Sequence, residues 1–207
     1  MSEQRTSWWR KGAWDGIAKT GRCGADSAEP GVVITPRHDF SFACIIAGEN
    51  DRALTDCITS RYGVDLPDRP CVMSGVTFDL LWAGPSQWLA VSVRPAMPAE
   101  LAADLQGFVA VSDQTDARAT LRLRGPRVCD ALAKGWPVDL HPRAFRRGDT
   151  LITAIGGIGV QVWWADVDDA LHLAVPRSMA GSFWSWLVTS ANEFGVEVLP
   201  AKGGSLL

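Results

Sequence analysis

The order in which strand-like and helix-like segments follow one another most constrains this fold, because it recurs in both halves of the 207-residue chain. Each half begins with a strand and a helix, continues with strands in a hairpin, and ends with a second helix and a last strand. In the first half, apolar residues recur at helical spacing over 51–62, and Gly63 ends the pattern. In the second half, the longest helical pattern covers 178–193. This order is that of the split βαβ, or ferredoxin-like, unit.

The pattern therefore predicts an α+β fold of two ferredoxin-like units packed together, with one extra strand in the second unit. The predicted boundaries are an irregular Trp-rich arm over 1–30, a first unit over 31–113, a second unit over 114–200 and a flexible tail over 201–207. Shorter helices are predicted after Pro98 and after Gly125 and Pro126. The predicted strands cover 40–47, 75–82, 87–93, 108–111, 119–123, 151–155, 159–164, 171–175 and 196–199.

Charge and cysteine usage narrow the class of protein. The formal net charge is -3, whereas a nucleic-acid-binding domain carries a basic face. The five cysteines are an odd number without a C-x-x-C pair, which favours reduced thiols. No apolar segment follows the basic N-terminus as in a signal peptide, and none is long enough to span a bilayer. We expect a soluble, cytoplasmic protein that binds neither nucleic acid nor membranes.

No cofactor or metal fingerprint is present in the sequence. The glycines of 156–159 lie between two strands and lack the dinucleotide-binding spacing, so they favour a hairpin turn. None of the histidines (His38, His141 and His172) has a second ligand at a metal-binding spacing. His172 alternates with leucines in a strand, so its side chain is predicted to face solvent or a partner. We expect no catalytic, cofactor-binding or metal-binding residue in this chain.

One loop leaves two interpretations open. Asp139 and His141 could form an acid–base pair, because a carboxylate can orient an imidazole that titrates near neutrality. The alternative is a turn around Pro142 in which these side chains bond to the backbone. The turn is the interpretation that short polar motifs of this kind favour.

The N-terminal arm carries the strongest signal for a partner. Trp8, Trp9, Arg10 and Trp14 lie in a segment without apolar periodicity, and Trp and Arg dominate protein–protein hot spots. These four residues are therefore candidates for docking. The competing interpretation is that the arm folds back over its own domain.

Four segments together resemble one known family. They are DQTDARATLRLRGP at 113–126, LAKGWPVDLHPRAF at 132–145, LWAGPSQWL at 81–89, and Arg177 and Ser178 followed by FWSWL at 183–187. In this order and spacing they resemble the gamma subunits of heterotetrameric sarcosine oxidase, over about 35–198.

The resemblance implies a fold similar to the folate-binding domain of the glycine cleavage T-protein. It implies a complex with alpha, beta and delta subunits that oxidatively demethylates sarcosine to glycine. It also implies that FAD, FMN, NAD and tetrahydrofolate belong to the partner subunits, and that the gamma chain is a structural subunit lying against alpha. Asp139, His141 and Pro142 belong to the family motif, and no catalytic role accompanies them.

Two rival functions remain open. The first is a stand-alone folate-binding protein of the T-protein type, for which Asp113, Asp116 and Arg118 are the clustered candidates. The second is a small enzyme that uses Asp139 and His141.

Overall fold

Two β-sheets packed face to face, each covered on its outer face by helices, form the frame of the protein. The structure is a computed structural model that describes residues 11–26, 28–48, 51–107, 109–141, 143–165 and 169–203. The prediction of an α+β fold is confirmed.

The elements within these ranges include a counterpart of every predicted helix and strand, and three further strands (21–23, 32–37 and 72–74) that were not predicted. The strands are β1 (Gly21–Cys23), β2 (Val32–Arg37), β3 (Ser41–Ile46), β4 (Val72–Ser74), β5 (Asp79–Gly84), β6 (Gln87–Ser92), β7 (Ala110–Asp113), β8 (Arg118–Arg124), β9 (Thr150–Ile155), β10 (Ile158–Trp164), β11 (Leu171–Pro176) and β12 (Val196–Val198). The α-helices are α1 (Asp51–Tyr62), α2 (Met97–Asp104), α3 (Val128–Ala133) and α4 (Ala180–Ala191). Short 3₁₀ turns cover Thr115–Ala117, Arg177–Met179 and Asn192–Phe194.

The first sheet has the strand order β4-β5-β6-β3-β7, with every neighbouring pair antiparallel. Without the edge strand β4, this is the strand order of a ferredoxin-like unit. Helix α1 buries Leu54 and Ile58, one turn apart, against this sheet. It ends at Tyr62 because Gly63 adopts a φ of 63°, the left-handed conformation that ends many helices.

The second sheet has the order β1-β12-β2-β8-β11-β10-β9, and α3 and α4 cover its outer face. Strand β2 belongs here, between β8 and β12, although the boundary predicted at residue 31 would assign it to the first unit. Strand β1 also joins this sheet from within the predicted arm. The sequence pattern missed β2 because Pro36, which cannot donate to a ladder, argues against an interior strand.

The start of the predicted tail is attached to this sheet. Lys202 N donates to Pro36 O at 3.0 Å, and His38 N donates to Lys202 O at 2.8 Å. Residues 204–207 lie outside the described residues.

Aromatic rings fill the seam between the two sheets. Trp163 lies 6.5 Å from the Phe42 ring and stacks on His172 at 5.1 Å. His172 is 3% exposed, so the prediction that it faces solvent or a partner is wrong. The alternation along β11 is real, but the opposite face of this sheet is covered by the first sheet.

The tight hairpin between β9 and β10 confirms the turn predicted from the glycines. Gly156 and Gly157 adopt φ values of 57° and 80°, which suit a two-residue hairpin loop. The indole of Trp186 on α4 lies over this turn and over Gly135. An added Cβ would lie 2.9 Å from the Trp186 ring at Gly156 and 2.6 Å from it at Gly135.

Candidate functional site

The two family-like segments after residue 113 converge on one cavity. The cavity has a volume of about 660 Å³ and lies beside the end of β8, the start of β11 and the loop after α3. Leu140 and Phe145 from that loop, with Trp164, supply apolar wall, while Arg122 and Arg124 supply charge. Asp169 is the acidic residue among its lining residues. Such a cavity suits an apolar group with an anionic end.

The loop that carries Asp139 and His141 is held by its own hydrogen bonds. Asp139 Oδ1 accepts from the backbone N of His141 at 2.8 Å, and His141 Nδ1 accepts from the backbone N of Arg143 at 3.2 Å. The backbone N of Phe145 donates to His141 O at 3.0 Å, which turns the chain so that Phe145 enters the core. These are the contacts of a turn, and the carboxylate does not orient the imidazole. Pro142 lies outside the described residues.

The thiol nearest this cavity is not activated. Cys129 on α3 lines the cavity, and burial, with a smaller contribution from Asp130, raises the pKa of its thiol. A raised pKa lowers the fraction of thiolate, which is the nucleophilic form. The cavity therefore offers shape and charge rather than a nucleophile.

A second cluster lies where the segment beginning at residue 113 enters β8. Asp113 Oδ1 accepts from the backbone N of Thr115 at 2.8 Å, and Thr115 Oγ1 accepts from the backbone N of Phe42 at 3.0 Å. Gln114 N donates to Phe42 O at 2.8 Å. These bonds fix the turn against β3 of the first sheet, and one of them engages Oδ1 of Asp113, a candidate of the folate-binding hypothesis.

Arg118 follows this turn as the first residue of β8. Burial lowers the pKa of its guanidinium, and the thiol of Cys44 on β3 acts in the opposite direction. Burial likewise raises the pKa of Cys44, with the charge of Arg118 opposing it. The Nε atom of Arg118 is buried without a hydrogen-bond acceptor among the described residues. Sequence reasoning treated Arg118 only as a folate ligand and missed this burial.

Trp14 is not a docking residue on an exposed arm. Its side chain is 1% exposed, and its ring lies 5.9 Å from that of Trp184 on α4. Its Nε1 donates to Thr120 O of β8 at 2.8 Å. Residues 11–18 of the arm therefore fold back over their own domain. This is the interpretation that competed with docking to a partner. Trp8, Trp9 and Arg10 lie outside the described residues.

Two exposed apolar side chains lie on neighbouring segments at one end of the first sheet. Val76 is fully exposed and Val93 is 58% exposed. Ser92 Oγ donates to Thr77 O at 2.7 Å, which places the segments that carry the two valines side by side. Isolated exposed valines are ordinary, but two on neighbouring segments can contribute to a contact with a partner.

The described ranges contain neither a metal-binding cluster nor a membrane-spanning helix. No group of three or more side chains there could hold a metal ion. In the same ranges, no helix is both long and apolar enough to cross a membrane.

Comparison with known proteins gives one family. The model of the family described as "Sarcosine oxidase, gamma subunit family" matches residues 47–193. Sarcosine oxidase subunit gamma of Corynebacterium sp. (strain P-1) is 31% identical over 147 residues, covering 68% of this chain and 70% of that protein. The subunit gamma of Arthrobacter sp. is 33% identical over 142 residues, covering 66% and 69%.

Solved structures show the same fold. A chain of the heterotetrameric sarcosine oxidase from Corynebacterium sp. U-96, in complex with pyrrole 2-carboxylate, matches with a TM-score of 0.76 at 24% identity. That match covers 89% of this chain and 96% of the other. The glycine cleavage system aminomethyltransferase T from Bartonella henselae matches with a TM-score of 0.60 at 14% identity, over 83% of this chain and 48% of that one.

Proposed function

The chain belongs to the sarcosine oxidase gamma subunit family, and from this premise we propose that it is the gamma subunit of a heterotetrameric sarcosine oxidase. The observation that carries the proposal is the family match over 47–193, which includes the segments at 113–126 and 132–145. The complex oxidatively demethylates sarcosine to glycine, and this chain acts in it as a structural subunit without an active site of its own.

The chemistry of the described side chains supports a structural role. Asp139 and His141 bond to their own turn rather than to each other. Burial raises the pKa values of Cys44, Cys71 and Cys129, which keeps these thiols protonated and weakly nucleophilic. Under this proposal the chain binds no cofactor itself. FAD, FMN, NAD and tetrahydrofolate then act in the partner subunits.

The proposed partner is the alpha subunit, with the beta and delta subunits in the same complex. The arm residues Trp8, Trp9 and Arg10 remain docking candidates on their composition. The exposed pair Val76 and Val93 supports a further contact on the first sheet.

A stand-alone folate-binding function is not favoured. It needs a carboxylate or an Arg lining a central cleft, for which Asp113, Asp116 and Arg118 were the clustered candidates. Asp113 instead accepts from Thr115 N, and neither carboxylate is among the groups that shift the pKa of Arg118.

Co-expression tests the proposal directly. The tagged chain is produced with the alpha, beta and delta subunits of the same organism, and the eluate is analysed by mass spectrometry, visible spectrum and sarcosine-dependent hydrogen peroxide formation. We expect a yellow complex of four chains that turns over sarcosine, while the tagged chain alone is colourless and inactive. Flavin bound by the isolated chain, or sarcosine oxidation by it, would contradict the structural role.

Replacement of Trp8, Trp9 and Arg10 by Ala tests the arm within the same experiment. We expect less alpha subunit to co-elute with this variant, because hot-spot residues each contribute about 1 kcal/mol or more to binding. Lys19→Ala, an exposed change just beyond the arm's buried Trp14, is the matched control and should co-elute as wild type does. Equal recovery from all three proteins would remove the arm from the interface.

A further inference from the structure

Arg118 is a cation held between the two sheets. It pairs with Pro176 of β11 and lies on the same face of β8 as Thr120, opposite the leucines that pack under the helices. Arg118 and the Cys44 thiol on β3, across the seam, each oppose the pKa shift that burial causes in the other. The residue is nevertheless only partly buried, so one side of its side chain is open.

Two other arginines of the described residues have a carboxylate partner, which Arg118 lacks. Arg37 forms a two-bond pair with Asp39 at 2.7 and 2.8 Å, and Arg127 pairs with Asp130 at 2.7 Å. No carboxylate of the described residues lies within ion-pair distance of Arg118, and its Nε has no acceptor there. The nearest acid along β7, Asp113, already bonds to Thr115 N.

An enclosed cation without a counter-charge is costly, since burial removes its hydration without replacing it. The lowered pKa of Arg118 is the signature of that cost. A carboxylate brought to the open side would restore the lost hydrogen bonds, and a guanidinium can bind one through two parallel bonds.

Two exposed apolar side chains belong to elements that neighbour Arg118. Ile46 follows Cys44 on the same face of β3 and is 45% exposed. Met179 is 37% exposed and lies in the 3₁₀ turn Arg177–Met179, which contacts the turn preceding Arg118. An arginine among exposed apolar side chains is a composition typical of protein–protein hot spots.

We infer that Arg118 receives an Asp or Glu side chain of a partner subunit, inserted between the sheets beside Cys44. This inference rests on the proposed function, because it requires a partner. It adds two points to the proposed function. The partner contributes a carboxylate, and the contact lies at the open end of the seam between the sheets.

Competition during assembly tests the inference without requiring the isolated chain. Wild-type and variant chains with different tags are co-expressed with the other three subunits, and their ratio in the purified complex is measured by mass spectrometry. We expect Arg118→Met, which keeps the apolar stem, to be incorporated about 30-fold less than wild type, because removing one member of an enclosed charge pair leaves the other unpaired. Arg118→Lys keeps the charge but not the two-bond geometry, so an intermediate loss is expected.

Arg52→Met is the matched control, since Arg52 is exposed on α1, on the far side of the first sheet from Cys44. It should be incorporated equally with wild type. The unfolding temperature of each isolated chain is measured in parallel, and Arg118→Met should leave it unchanged or raise it.

Three outcomes would overturn the inference while leaving the proposed function intact. The first is equal incorporation of Arg118→Met into a complex that wild type forms. The second is a fall in the unfolding temperature of Arg118→Met that accounts for its poorer incorporation, which would make Arg118 a structural residue. The third is stabilisation of the free wild-type chain, but not of Arg118→Met, by glycine or acetate with incorporation unchanged, which would assign Arg118 to a small ligand. Failure of wild type to join any complex would instead contradict the proposed function.

Discussion

Trp14 illustrates how one side chain can change the meaning of a segment. Its neighbours along the chain are polar and glycine-rich, which is typical of an arm that binds a partner. Its ring is nevertheless part of the core beneath α4, and its indole N–H bonds to the backbone of β8. The contact spans 106 positions of sequence, so no local pattern could reveal it.

We predict that Trp14→Ala destabilises the chain by about 3–5 kcal/mol, the usual cost of deleting a buried tryptophan. Denaturant unfolding followed by circular dichroism measures this change. Trp9→Ala, in the segment proposed to dock, should alter assembly and leave the unfolding free energy within about 0.5 kcal/mol of wild type. Equal destabilisation by both substitutions would mean that the arm acts as one structural unit.

Tyr62 gives a second prediction at this scale, because it is the single tyrosine of the chain. Its hydroxyl donates to Asp104 Oδ2 at 2.5 Å. Burial, this hydrogen bond and the charge of Asp104 raise its pKa well above that of a free tyrosine. We expect tyrosinate absorbance to develop at higher pH in the native chain than in the urea-unfolded chain.

The sign of the linked stability effect follows from the raised pKa of Tyr62. The stabilising contribution is complete below the pKa of the unfolded tyrosine and is lost as the pH rises toward the native value. Tyr62→Phe should therefore lose less stability than wild type between neutral and strongly alkaline pH. Coincident titration of native and unfolded chains would contradict the assignment.

At the scale of elements, Trp186 of α4 packs on Gly156 of the β9–β10 hairpin and on Gly135, and so connects the helix to the hairpin. Gly156 N donates to Gly135 O at 3.1 Å, and the Trp186 indole covers both residues. Any side chain at either position would displace that ring.

We predict that Gly135→Ala destabilises the chain by about 1–3 kcal/mol, the usual cost of overpacking. Thermal unfolding provides the measurement. Gly159→Ala, on β10 where an added Cβ meets no atom within 4 Å, is the control and should be close to neutral. A neutral Gly135→Ala would mean that Trp186 can move aside at little cost.

The sequence predicted those elements in which the spacing of apolar residues indicates the buried face. Helix α1 begins and ends where its apolar spacing and Gly63 indicated, and the β9–β10 hairpin follows from two adjacent glycines. Strand β2 was missed because Pro36 argues locally against an interior strand, while its place between β8 and β12 is decided by long-range pairing.

In the candidate site, too, the sequence predicted local features and missed those that depend on distant parts of the chain. The family-like segments predicted which stretches would matter, and the turn around His141 was readable from its residue types. The burial of Arg118 could not be predicted from the sequence, because it depends on a sheet that another part of the chain forms. His172 was misplaced for the same reason, since strand alternation identifies a face but not what covers it.

At the scale of the whole molecule, the seam between the sheets makes the two units one body. Rings from both sheets meet there, with Phe42 from the first and Trp163 from the second. The turn at Thr115, which is bonded to β3, passes directly into β8. A partner that binds at Arg118 would therefore contact both units at their junction.

The strand order of the second sheet also bears on how the chain is completed on the ribosome. All strands of the first sheet come from the stretch between Ser41 and Asp113. They can therefore pair once that stretch has emerged from the ribosome. Strand β2 is synthesised earlier, yet it must wait for β8 on one side and for β12, near the end of the chain, on the other. Until β12 has been synthesised, an apolar strand with an open edge stands beside a finished unit, and such edges invite aggregation. Binding of the nascent chain by a chaperone or by an already folded partner would protect that edge, which favours assembly that is coupled to synthesis.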